Sequence, residues 1–254
     1  MSDATPQAAK KSKGLSERGL KTLGVLFVIL SGLGTAVVAK GMPADLGQAD
    51  LTQLTVVIAL EVVSWAAYPV YAWLLYWGFT HTRSVWRYGL RLFALAVLSE
   101  VPYDLATSGK VWDTSSQNPV FALVIGLVVL YFLDWLREHR PAGWAVVSVV
   151  VVAAGAFWLV MFNIGMRMGL VPGGLLIYAF TMIIWFLHAR ENTMMLVGGL
   201  LGALAFVLPA FGFVLIHFRN DVKLASPVER YAFYALYPVC LLILGLFGMF
   251  AVPA

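Results

Sequence analysis

Long apolar segments alternate with short polar connections along almost the whole chain. A helix that spans a membrane needs about 20 mostly apolar residues. Pro209 lies inside the seventh apolar segment, and we expect the helix to bend or break there. On the length criterion the pattern predicts eight spanning helices, at residues 20–40, 56–80, 87–106, 119–137, 143–162, 170–188, 194–217 and 230–251.

The segment before the first apolar run has a different character. Residues 1–19 are polar, carry four basic side chains and show no apolar periodicity, so they are predicted to form a polar cytoplasmic tail. The connections between the apolar segments are short. Residues 20–254 are therefore expected to form a single transmembrane helical domain, and the predicted fold class is all-α, a polytopic membrane helical bundle.

Composition narrows the protein class further. Of the 254 residues, 61% are apolar and 12% are charged, and the mean hydropathy is +0.86. Soluble domains are about half apolar and a quarter charged, so an ordinary soluble enzyme is excluded. The single cysteine, Cys240, cannot form an internal disulfide. A net charge of +4 is too small to indicate nucleic acid, and the expected partner is the lipid bilayer.

The distribution of basic residues predicts an orientation. Cytoplasmic connections of membrane proteins carry an excess of Lys and Arg. With the N-terminus inside and eight helices, eleven of the 17 Lys and Arg residues are cytoplasmic and six are outside. This split predicts that both termini lie in the cytoplasm. Seven or nine helices would instead place the C-terminus outside.

The densest group of polar side chains lies on the third predicted helix and just before it. Arg83, Arg87 and Arg91 recur every four residues, so they would share one face if the helix began early. A guanidinium group offers a planar fork to phosphate oxygens, which favours a phosphate-bearing ligand at the cytoplasmic rim. The alternative is that these arginines anchor the helix at lipid headgroups.

Two carboxylates lie further along the same helix. Glu100 and Asp104 are one turn apart, and ionisable groups in hydrocarbon indicate function or a buried pair. They could exchange a proton with an amine or a hydroxyl, or form a salt bridge to another helix. In both cases Glu100 should face the bundle interior. Its leading candidate partners are Arg167, Asn118 and Tyr237.

The remaining ionisable residues give weaker signals. Glu61 stands alone early in the second predicted helix, where we expect it at the outer interface. No histidine has a His, Cys or acidic neighbour at the spacing of metal ligands, so no metal site is predicted. Cys240 is expected to be a small packing residue.

Five segments in a consistent order carry a family resemblance. They are YPVYA at 68–72, HTRSVWRYGLRL at 81–92, SEVPYDLA at 99–106, QN at 117–118 and the aromatic YAFYALYP at 231–238. Together they resemble the TraX family, whose members are polytopic inner-membrane proteins. Its conjugative founders acetylate the N-terminus of pilin. The family is similar to a wider class of transmembrane acyltransferases that use cytoplasmic acetyl-CoA.

The resemblance implies a function. It predicts a multi-pass protein of the bacterial inner membrane that transfers an acetyl group from acetyl-CoA to an envelope acceptor, such as a pilin-like protein or a glycolipid. The three arginines above would bind the donor, and Glu100 and Asp104 would be catalytic. Asn118, Arg167 and Tyr237 would form a substrate-binding or structural polar network.

The chain departs from the family pattern at three places. The family's Asp-His pair in the first helix is replaced by Ser31-Gly32, its Gly-Arg in the second helix by Ser64-Trp65, and its C-terminal His by Cys240. These are the groups that a general base, an orienting acid and a charge clamp would use. A non-catalytic assembly or scaffold subunit that binds a lipid or protein partner is therefore the alternative. A transporter is disfavoured, because no repeat with matched broken helices is evident.

Overall fold

The computed structural model describes residues 14–42, 50–140, 142–166, 172–220, 222 and 226–251. Within these ranges the chain is helical, and the only β-type pairing is an isolated bridge between Leu15 and Arg219. The helices are α1 (Glu17–Gly32, continued by a π-helical segment, Leu33–Val38, and a 3-10 turn, Ala39–Gly41), α2 (Leu51–Ser64), α3 (Ala67–His81), α4 (Val85–Ser108), α5 (Val120–His139), α6 (Trp144–Met161), α7 (Gly173–Leu187), α8 (Glu191–Leu204), α9 (Leu208–His217) and α10 (Pro227–Ala251).

Five helical stretches of the described chain are long and apolar enough to cross a membrane. They are Glu17–Gly41, Leu51–His81, Val120–His139, Trp144–Met161 and Val228–Phe250. The predicted fold class, an all-α bundle of the membrane type, is confirmed.

The first helix begins earlier than the sequence predicted. Ser16 caps α1 by accepting a hydrogen bond from the backbone of Gly19, so the helix starts at Glu17. The preceding backbone pairs with the chain after α9, where the Leu15 amide donates to the Phe218 carbonyl at 2.8 Å. The helix therefore includes the last three residues of the segment 1–19 that was predicted as a tail. Residues 1–13 of that tail lie outside the described residues.

The second predicted helix is interrupted near its middle. Pro69 has no amide hydrogen to donate to the Trp65 carbonyl, so the regular ladder cannot continue through that position. The Trp65 carbonyl accepts instead from the Tyr68 amide at 3.1 Å, and a tight turn separates α2 from α3. The two helices still make one pass of the bundle.

Contacts between α1 and α10 show that these two helices run in parallel. Their paired positions advance together along both helices, from Arg18 with Glu229, through Gly32 with Leu244, to Ala36 with Gly248. The start of α10 is therefore beside the start of α1. The end of α10 lies beside the π-helical segment, at the opposite end of the bundle.

The α8 and α9 helices form a hairpin that enters and leaves at the same end. Glu191, the first residue of α8, accepts a hydrogen bond at 2.9 Å from Arg219, which follows α9. A methyl group built on Gly202 would lie 2.6 Å from the backbone nitrogen of Ala210, so the two helices pack backbone to backbone. With 14 and 10 residues they are about 21 and 15 Å long, short of a bilayer core of about 30 Å.

This hairpin corrects the predicted span count. The segment 194–217 was predicted as one pass that bends or breaks at Pro209, and the chain turns back at 205–207, just before Pro209. The described chain therefore passes through the bundle seven times, counting α2 and α3 as one pass. Residues 14 and 250 lie at opposite ends of the bundle, which differs from the predicted eight passes with both termini on one side. Hydropathy could not separate the two cases, because the turn residues Phe206 and Val207 are themselves apolar.

The hairpin also changes the distribution of charge. Five of the 17 basic residues lie outside the described ranges, which leaves twelve. Lys40 and Lys110 lie toward the end where α1 finishes. The other ten lie at or near the end where α1 begins, which we name the basic end: Arg18, Lys21, Arg83, Arg87, Arg91, Arg137, Arg140, Arg190, Arg219 and Arg230.

A labelling experiment checks this arrangement. In a Cys240→Ala background, we expect a cysteine at Val222 to react with a membrane-impermeant maleimide from the same side as a cysteine at Arg140. A cysteine at Lys110 should react from the other side. Val222 is exposed just beyond the hairpin, whereas a crossing helix at 194–217 would have placed it with Lys110. Labelling of Val222→Cys from the Lys110 side would contradict the hairpin.

Candidate functional site

An elongated cavity of about 280 Å³ lies between α1, α3, α4 and α10 on the side of the basic end. Charged side chains from the helix ends surround its rim. Further inside, the walls are mainly aromatic and aliphatic. The rim residues are Glu17, Lys21, His81, Arg91 and Arg230, and the aromatic wall residues are Tyr71, Trp77, Tyr88, Phe233, Tyr234 and Tyr237.

The cations at this rim are held in different ways. Lys21 forms an ion pair with Glu17 at 2.7 Å along α1, and its ammonium lies 5.9 Å from the centre of the Phe233 ring. Arg91 lies over the ring of Tyr88 at 6.0 Å, and no described residue accepts a hydrogen bond from its buried Nε. Arg91 is therefore positioned by packing at the rim, and its Nε is a buried donor without a partner among the described residues.

Of the three arginines predicted to share a face, only Arg91 reaches this cavity. Ser84 caps α4 by accepting from the backbone of Arg87, so the helix begins at Val85 and does not include Arg83. The side chains of Arg83 and Arg87 are exposed, and neither lines the cavity. The predicted three-arginine face is wrong, and Lys21 and Arg230 accompany Arg91 instead.

A second cavity of about 120 Å³ lies in the other half of the bundle. It shares four wall residues with the first cavity, namely Tyr71, Pro119, Ile177 and Tyr237. We refer to these four residues as the partition. The two cavities therefore meet at one thin wall inside the bundle, and two tyrosine side chains belong to that wall.

The second cavity contains the carboxylate of Glu61, which was predicted at the outer interface. Glu61 is buried, with 6% of its surface exposed, so the prediction of an interfacial position is wrong. Ser31 Oγ donates to one carboxylate oxygen at 2.7 Å, and Trp65 Nε1 donates to the other at 3.3 Å. Gly34 allows α1 to approach the backbone of α2, which brings Ser31 within reach of Glu61. Only the packing of two helices reveals this contact.

Glu100 is bound by the residue that precedes α5. The backbone amide of Asn118 donates to Glu100 Oε2 at 3.2 Å, and its side-chain amide donates to the same oxygen. Asn118 also donates to the Ala96 carbonyl at 2.8 Å. The expected pairing of Glu100 with Asn118 is confirmed, while Arg167 lies outside the described residues. The third candidate, Tyr237, lies in the partition.

Asp104 holds the connection between α4 and α5. Its side chain is 1% exposed, and one carboxylate oxygen accepts from the backbone amide of Asp113 at 2.8 Å. Neither Asp104 nor Glu100 belongs to the described walls of the two cavities. The two carboxylates predicted as catalytic therefore accept hydrogen bonds from backbone amides of the α4–α5 connection, outside the described walls of both cavities.

Comparison with known proteins assigns the family. A family model described as TraX protein matches residues 16–248, nearly the whole chain. The chain belongs to the TraX family. Neither the comparison with curated proteins nor the comparison with solved structures gives a match. The matched range includes both cavities and the α8–α9 hairpin.

In this TraX-family chain, three of the residues at which the resemblance implies a departure from the family pattern lie at one cavity. Ser31, Ser64 and Trp65 all line the second cavity. Glu61 supplies the carboxylate on the described walls of that cavity.

Proposed function

We propose that this TraX-family protein is a membrane acyltransferase that receives acetyl-CoA at the basic end and transfers the acetyl group to an acceptor in the other half of the bundle. The observation that carries the proposal is the pair of cavities that meet at the partition. A rim with three cations leads to one cavity, and a buried carboxylate lies in the other. Two substrates could therefore approach one point from opposite directions.

The first cavity suits the acyl end of a CoA thioester. Small-molecule sites are usually about 300–1,000 Å³, so 280 Å³ matches the acyl and pantetheine groups rather than the whole donor. The phosphates would then remain at the rim, near Lys21, Arg91 and Arg230. Arginine binds phosphate oxygens through paired hydrogen bonds, and lysine contributes a point charge.

The charge distribution supports a cytoplasmic location of the basic end. Ten of the twelve basic residues in the described ranges lie there, a stronger bias than the predicted split of eleven to six. Acetyl-CoA would then reach the rim directly from the cytoplasm of a bacterial cell. Residue 14 would be cytoplasmic, and residue 250 would be on the outer side of the inner membrane.

The partition offers hydroxyl groups at the point where chemistry would occur. Attack on a thioester carbonyl places negative charge on its oxygen, and hydrogen-bond donors that face this oxygen lower the barrier. Tyr71 and Tyr237 line both cavities, and no described residue forms a hydrogen bond with either hydroxyl. We assign them as donors to the developing oxyanion. Glu100 and Asn118 would support this wall through the adjacent Pro119.

A non-catalytic assembly subunit is the second candidate function. It is favoured by the replacement of the family's acid, base and charge clamp at Ser31, Trp65 and Cys240. In that case the first cavity would hold a lipid or a segment of a protein partner.

The two candidate functions differ in what purified protein does with acetyl-CoA. In lipid nanodiscs, we expect saturable binding of one acetyl-CoA per chain by titration calorimetry, and release of free CoA when a nucleophile is supplied. Nanodiscs without protein provide the background rate of thioester cleavage. Saturable binding without release of CoA would favour the assembly subunit. Absence of saturable binding would contradict the acyltransferase proposal.

A further inference from the structure

We infer that the second cavity is an acceptor site for a hydroxyl-bearing amphiphile, in which Glu61 is the general base. This inference rests on the proposed acyltransferase function and assigns the group that removes the acceptor's proton.

The first reason is the environment of the carboxylate. In the described part of the chain Glu61 accepts two hydrogen bonds, both from neutral groups, and no Lys or Arg pairs with it. A buried carboxylate without a cation is costly, and such groups in membrane proteins usually serve function. Two oxygens have about four acceptor positions, so capacity remains for a hydroxyl of a substrate.

The second reason is the chemistry of the cavity walls. Apart from Glu61 and the indole N–H of Trp65, the described polar side chains of the walls are neutral hydroxyl groups, including those of Ser31, Thr35, Tyr68 and Tyr103. No Lys, Arg, His or second carboxylic acid lines the cavity in these ranges. Such walls match an uncharged hydroxyl compound. With less than half the volume of the first cavity, the space holds only one end of the acceptor.

The proton count also favours a hydroxyl over an ammonium group. A hydroxyl must lose one proton to form an ester, and a single base can accept it. An ammonium group must lose two protons to form an amide, one before the attack and one after it. Glu61 is the only such base on the described walls, so the cavity can accept the one proton that ester formation releases.

The acceptor O–H proton moves to the Glu61 carboxylate as the oxygen attacks the thioester carbonyl at the partition. The new C–O bond forms, the C–S bond breaks, and the electron pair leaves on the CoA sulfur. That thiolate takes up a proton from water at the open rim of the first cavity, and Glu61 returns its proton to solvent. The products are the ester and free CoA.

The aromatic wall beside Trp65 favours an acceptor with an apolar part as well as a hydroxyl group. The Trp65 ring, which donates to Glu61, contacts the ring of Phe206 at 5.4 Å between centres. Phe206 is at the turn of the α8–α9 hairpin and is 57% exposed. Two aromatic rings therefore separate Glu61 from the outside of the bundle at half depth, where a lipid-soluble molecule would approach.

The test uses nanodisc protein, acetyl-CoA and two nucleophiles. Octyl glucoside is an amphiphilic alcohol, whereas hydroxylamine is uncharged at neutral pH and attacks thioesters without a base. We expect Glu61→Gln to reduce acetylation of octyl glucoside by about 100-fold or more, the usual contribution of a general base. Transfer to hydroxylamine should remain within a few-fold of the unmodified protein. Glu61→Asp should retain part of the transfer to octyl glucoside.

Glu138→Gln is the matched control, because it makes the same chemical change at an exposed position on α5. Equal loss with both nucleophiles in Glu61→Gln would indicate a structural role and overturn the inference. Unchanged transfer to octyl glucoside would overturn it as well, as would an unmodified protein that acetylates octylamine but not octyl glucoside. If the unmodified protein transferred acetyl groups to no nucleophile, the proposed function itself would fail, and this inference with it.

Discussion

Replacing Arg91 with Gln should weaken acetyl-CoA binding by about 10- to 100-fold, whereas Arg87→Gln should change it little. A hydrogen bond between charged groups contributes about 1.5–3 kcal/mol, which corresponds to that loss. Arg91 lines the first cavity and has a buried donor without a partner in the described chain. Arg87 is one turn earlier on the same helix, with the same charge, but is exposed outside the cavity.

Titration calorimetry in nanodiscs measures both dissociation constants. Arg91→Lys tests the mode of binding, because lysine keeps the charge and loses the planar fork. We expect it to recover only part of the affinity. Equal losses in Arg87→Gln and Arg91→Gln would show a general effect of surface charge. No loss in Arg91→Gln would contradict the location of the donor phosphates.

Replacing Tyr237 with Phe should reduce acetyl transfer to hydroxylamine by about 100- to 1,000-fold, without weakening acetyl-CoA binding. Removal of one donor to a developing oxyanion has an effect of this size in other enzymes. Tyr237 lines both cavities, and Phe keeps the ring that separates them. The change therefore removes one hydroxyl group from the partition and little else.

Tyr131→Phe is the matched control for this variant, since Tyr131 is 52% exposed on α5 and distant from the partition. Turnover is followed as the release of free CoA, and binding by calorimetry. A parallel loss of binding and turnover would mean that Tyr237 only shapes the cavity. Unchanged turnover would remove Tyr237 from the proposed oxyanion site.

Most of the helices could be predicted because the thickness of a bilayer fixes the length of an apolar segment. The same rule failed at 194–217, where two half-length helices and an apolar turn add up to the length of one crossing. The glycines that allow the hairpin, Gly198 and Gly202, act through close packing with α9, which hydropathy does not record. The predicted position of Arg219 differed for the same reason, because one crossing helix would place it at the end opposite Glu191.

Parts of the site could be predicted from single residues. A carboxylate in hydrocarbon needs a partner, and the Asn-Pro start of α5 supplied one for Glu100. The N-cap signal of Ser84 was also present in the sequence and could have excluded Arg83 from the helix. The burial of Glu61 could not be predicted in this way. Its hydrogen bond comes from Ser31 on another helix, and the sequence pattern does not show which helices pack together.

In the proposed function, acetyl-CoA occupies the first cavity and its acyl group lies at the partition. A structure determined with a non-hydrolysable thioether analogue of acetyl-CoA tests this most directly. We expect the phosphates within hydrogen-bonding distance of Arg91 and Arg230, and the acyl carbonyl beside the hydroxyls of Tyr71 and Tyr237. An analogue bound at the opposite end of the bundle, or with its acyl group outside the first cavity, would contradict it.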